Sequence, residues 1–185
     1  MTNEWPKLSS FPTEEFQLLQ YFAKELIFNS YSMTTILKGN GEITQKQFSF
    51  VLFENLNFLI FLVDKMSAEI ADIQKRSQLM RELTDSSFYL LILTLSPGLE
   101  DKAKDSLYNQ CRNNLISFIE EYRQYKFIQD DKSSGSEDTV LWEFSKKIQE
   151  FTKDPYNIGA ILGYQNIIIQ VMKNIDIETF LEKFK

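Results

Sequence analysis

Phe48-Ser-Phe-Val-Leu-Phe-Glu-Asn-Leu-Asn-Phe-Leu-Ile-Phe-Leu-Val63 decides the fold. Apolar residues fall on every side of a 3.6-residue turn, so a helix here has no fully polar face. Such a helix is either a membrane span or the centre of a helical core. The stretch falls short of the roughly 20 apolar residues a span needs, and it contains Glu54. It is therefore expected to be the central helix of an all-α domain.

The flanking sequence supplies helices to surround it. Phe16, Leu19, Phe22, Leu26 and Ile27 recur at helical spacing behind Thr13, which can cap a first helix. The pattern runs on through Tyr31, Met33, Ile36 and Leu37 until Gly39-Asn40-Gly41 stops it. Thr44 can cap the Phe-rich helix, which extends towards Ile73. A third helix from Gln74 to Leu95 turns Leu79, Leu83, Phe88, Leu91 and Ile92 inward, and Ser96-Pro97-Gly98 ends it. In a fourth, from Glu100 to Phe127, Tyr108, Cys111, Leu115, Phe118, Tyr122 and Tyr125 form a narrow seam.

Beyond a polar, acidic linker at 129–138, Thr139 to Phe151 has Val140, Leu141, Phe144, Ile148 and Phe151 on one side. Asp154-Pro155 marks a restart. Asn157 to Lys173 carries Ile158, Ile161, Leu162, Ile167, Ile168, Ile169 and Val171. Its β-branched run could form a strand, but a lone strand has nothing to pair with, so helix is the reading. A short last helix carries Ile177, Phe180, Leu181 and Phe184. The expectation is one all-helical domain over 1–185, an irregular bundle of roughly six or seven helices. Its core bundle covers about 13–128, and helices in 139–185 pack on it.

Composition agrees. The 185 residues are 43% apolar and 25% charged, with six glycines and four prolines, too few for a turn-rich β fold. Sixteen phenylalanines promise a substantial core. The net charge is −6, and acids exceed bases in both halves, so no basic footprint for nucleic acid exists. The lone Cys111 cannot form an intramolecular disulfide, and no leader pattern opens the sequence. The expectation is a cytoplasmic protein with neither a membrane nor a nucleic-acid partner.

Much familiar chemistry is unsupported. With no histidine, the Ser-His-Asp and Cys-His arrangements and the usual histidine metal sites are missing. No phosphate-loop, dinucleotide or nucleophile-elbow string occurs. Asn40-Gly41-Glu42-Ile43-Thr44 echoes half of a calcium loop, but Ile36 and Lys38 would occupy its first and third ligand positions and offer no suitable oxygen. It reads as a glycine turn between helices. Lys7, Lys24 and Lys38 are the only bases in the first forty residues, which argues against a DNA-reading helix-turn-helix. No cofactor is implied.

The polar exceptions on the Phe-rich helix are the candidate site. Glu54, Asn57 and Asp64 lie near one face, and Arg76 and Arg81 on the third helix are natural partners. A solvated edge or a structural ion pair is the plainer reading; a polar floor in an apolar pocket is the sharper one. The sequence favours a non-enzymatic protein-interaction or regulatory module, binding an unidentified protein or itself. A bundle that holds an apolar small molecule or lipid is the alternative, and a histidine-independent enzyme the next.

Overall fold

A computed structural model describes residues 11–70, 72–127, 139–152 and 157–185. The acidic linker and Asp154-Pro155 lie outside the described residues. Among those described there are seven α-helices and no strand: α1 Thr13–Gly39, α2 Gln45–Met66, α3 Ile73–Leu95, α4 Asp101–Tyr122, α5 Val140–Gln149, α6 Ile158–Asn174 and α7 Ile177–Glu182. The fold is an all-α bundle, as its apolar periodicity requires.

The Phe-rich segment is the core of α2. Helices α1, α3, α4, α5 and α7 all touch it. Leu56, Phe58, Leu59, Phe61 and Val63 are fully buried. Counted over its full 22 residues, α2 is long and apolar enough to cross a membrane, contrary to the shorter count from the sequence. Here most of that apolar surface is buried against neighbouring helices. Phe58 stacks on Phe144 of α5 at 4.0 Å between ring centres, and Phe61 meets Phe118 of α4 edge-on at 6.0 Å. At the other side of the bundle, Phe180 of α7 stacks on Phe22 of α1 at 3.8 Å.

Short polar signals set several boundaries. Gly41 adopts a φ of 72°, which glycine tolerates without a Cβ clash, and so reverses the chain after α1. The Gln47 side-chain oxygen then accepts from both the N–H and the hydroxyl of Thr44 at the start of α2. The Gln47 amide nitrogen donates to the Phe151 carbonyl at 2.6 Å, which ties that start to the end of α5. Asp72, Thr139, Asn157 and Asp176 each accept a first-turn N–H from their helix.

Three details differ from the expectation. Thr13 is the first helical residue rather than the cap, and Pro12 precedes it. The fourth helix stops at Tyr122 because the chain leaves it to accept the Val140 N–H on the Lys126 carbonyl at 3.1 Å. The Phe-rich helix stops at Met66, short of Ile73, and a short 3-10 turn at Ser67–Glu69 follows it.

Candidate functional site

The structure distributes the sequence-predicted residues over separate environments. Asp64 and Arg76 meet at the turn between α2 and α3. The Arg76 guanidinium donates to the Asp64 carboxylate at 2.9 Å, to the Asp64 carbonyl at 3.0 Å and to the Ser67 hydroxyl at 3.0 Å. A planar fork satisfies a carboxylate and a carbonyl at the end of a helix together, so this arrangement clamps the turn. Arg81 stands exposed on α3. Asn57 is buried in the core, and its side-chain oxygen has no hydrogen-bond partner.

Glu54 turns towards α4 and α5 instead of α3. Its carboxylate lies 3.3 Å from the Lys147 ammonium, which is also 3.0 Å from Glu121. Lys147 sits over the rings of Phe118 and Tyr122, at 5.3 and 5.5 Å from their centres, where the aromatic faces attract a cation. Burial holds the Glu54 carboxyl above its ordinary pKa, and Lys147 pulls it part of the way back. The group joins three helices through one cation.

A second polar tie runs through the core. The Tyr164 hydroxyl of α6 donates to the Asn55 oxygen at 2.5 Å, and the Asn55 amide donates to the Thr34 hydroxyl of α1 at 3.0 Å. Thr34 donates onward to the Ser30 carbonyl at 2.8 Å. Burial pushes the Tyr164 hydroxyl pKa far up, so this group stays a neutral donor. Asn55 thereby links α1, α2 and α6 by hydrogen bonds with no ionised member.

The outer face of α1 is organised differently. Gln17, Tyr21, Lys24, Phe28, Tyr31 and Thr35 are all exposed and follow one another at alternating steps of four and three residues. That is the spacing of a coiled-coil seam. Tyr21 is 62% exposed, Phe28 66% and Tyr31 49%. The opposite face of the same helix, through Leu19, Phe22, Leu26, Met33 and Leu37, is buried. The sequence pattern had placed Tyr31 and Ile36 with the inner set; both are exposed. Tyr31 rests one edge against Phe48 at 5.4 Å and offers the rest to solvent. At about 200 Å² for a large aromatic side chain, these three rings leave roughly 350 Å² uncovered. That sum lies within the roughly 300–600 Å² of the largest apolar patch on a typical monomer, and exposed Lys24 interrupts it between Tyr21 and Phe28.

No family model matches the chain, and no curated protein or solved structure is significantly similar to it.

Proposed function

We propose that this protein is a non-enzymatic interaction module that presents the outer seam of α1 to a helix of a protein partner. The observation that carries the reading is the line of Tyr21, Phe28 and Tyr31, two largely exposed aromatics and one half-exposed, at coiled-coil spacing. Aromatic side chains supply much of the energy at protein interfaces, and leaving them in water lowers solubility. The charged groups inside the bundle support the same reading. Asp64 with Arg76, and Glu54 with Lys147, each tie one helix to another.

The test is affinity capture from the cells that make the protein, with wild-type chain and with Phe28→Glu as bait. Circular dichroism should find the two baits equally folded, because Phe28 is exposed. A partner retained by the wild type and lost from the variant is the expected result. Identical captured sets would end the proposal for this face.

A further inference from the structure

We infer that the partner on the α1 seam is a second copy of this chain, packed antiparallel so that Phe28 of each copy meets Tyr31 of the other. The inference rests on the interaction reading above and names its occupant. An interface between identical copies is isologous, so the seam must complement its own two-fold image. With the axis placed between Phe28 and Tyr31, the pairs moving outward are Phe28 with Tyr31, Lys24 with Thr35 and Tyr21 with Lys38, each occurring twice. Aromatic edges meet aromatic faces at the centre. At the ends, a lysine ammonium reaches a tyrosine ring, as Lys38 already does with Phe48 at 5.5 Å within one chain.

Charge selects the direction. The seam from Gln17 to Lys38 carries two lysines and no acid. A parallel pair would stack Lys24 on Lys24 and Lys38 on Lys38; the antiparallel pair sets neither lysine against another. The area sets the strength. Doubling the aromatic patch gives roughly 700 Å², below the roughly 1,200 Å² at which specific stable interfaces begin and in the range of weak, transient ones. That predicts a reversible dimer with a Kd of about 1–100 μM.

The experiment is sedimentation velocity on the full chain over about 1–300 μM, with three variants on exposed positions. Wild type should pass from monomer to dimer over this range. Phe28→Glu should remain monomeric. Thr35→Lys faces Lys24 of the other copy twice and should weaken the dimer about tenfold or more. Lys24→Glu with Thr35→Lys should recover the wild-type affinity or better, since each Glu then meets a Lys. In a parallel pair the same double variant would set Glu on Glu and Lys on Lys, and further weakening would overturn the register. A wild-type chain that stays monomeric throughout overturns the second-copy inference but leaves the capture experiment free to find another partner. A dimer indifferent to Phe28→Glu would show that this seam is not its interface.

Discussion

Replacing Lys147 with methionine tests what allows a carboxylate to sit among α2, α4 and α5. Methionine keeps most of the alkyl stem against Phe118 and Tyr122 and removes the charge. At an effective dielectric of about 20, the ammonium gains about 5 kcal/mol from Glu54 at 3.3 Å and a similar amount from Glu121 at 3.0 Å, before desolvation is counted. The net is much smaller. The Glu121 side chain is 48% exposed, so its share is that of a surface pair, below about 1 kcal/mol. The Lys147 and Glu54 side chains are 25% and 22% exposed, so the cost of about 3–5 kcal/mol for breaking a fully buried pair is an upper limit. Between these limits, Lys147→Met should lose about 2 kcal/mol at neutral pH.

The pH dependence separates this account from lost packing. The Glu54 pKa is raised in the fold, burial outweighing Lys147. A raised pKa means that the folded chain holds the proton more tightly than the unfolded chain. The stability this contributes is complete below the ordinary glutamate range and is lost as pH rises through the raised value. Removing Lys147 removes the influence that lowers this pKa, so the titration moves higher still. Once Glu54 is protonated it has no charge for Lys147 to compensate. The penalty should therefore shrink as the pH is lowered from neutrality towards the ordinary glutamate range. Urea denaturation of wild type and variant at both ends of that interval measures it, with Lys147→Met/Glu54→Gln as the control expected to regain most of the loss. A penalty below about 0.5 kcal/mol at neutral pH, or one equal at the two pH values, would refute the electrostatic account.

Two further predictions concern the interior. Tyr164→Phe removes the donor to Asn55 and leaves a buried amide oxygen unpaired, which should cost about 1–3 kcal/mol by urea titration; a neutral substitution would show that the Asn55 tie is not holding the helices. Cys111 is buried on the inner seam of α4, and burial pushes its thiol up to about 11, so a thiol reagent at neutral pH should label it only as the chain unfolds. Prompt labelling of the native protein would contradict that placement.

The fold was legible where local signals carry it. A segment apolar on all sides has to be surrounded, and the Phe-rich helix is. The Gly41 turn and the helix starts at Thr44, Thr139 and Asn157 are local chemistry, written within a few residues of each boundary; the Asp72 cap was not legible, because the apolar pattern carries the second helix on towards Ile73. The end of α4 was not legible, because the Lys126–Val140 bond that diverts the chain joins residues on opposite sides of the linker. Lys147 escaped for the same reason: its partners Glu54 and Glu121 lie on other helices. The α1 seam left a partial signal. Its inner and outer faces both carry aromatics, and periodicity cannot say which of two apolar faces is covered. The interleaved Gln17, Lys24 and Thr35 mark the outer one, whereas Leu19, Phe22, Leu26 and Met33 run without a charge between them on the inner one.

The exposure of that outer seam follows from how α1 is pinned. Turning α1 about its axis to bury Phe28 would gain about 1.5–3 kcal/mol for the ring. The same turn would carry Thr34 away from Asn55 and leave a buried amide donor unpaired, at about 1–3 kcal/mol. It would also lift Leu19, Phe22, Leu26, Met33 and Leu37 towards solvent, each at a cost comparable with the gain from Phe28. The Phe22–Phe180 stack that holds α7 would break as well. The losses exceed the gain several-fold, so this chain has no favourable way to hide the seam by rotating its own helix. Among the described residues nothing covers this aromatic line, and rotating α1 would not hide it.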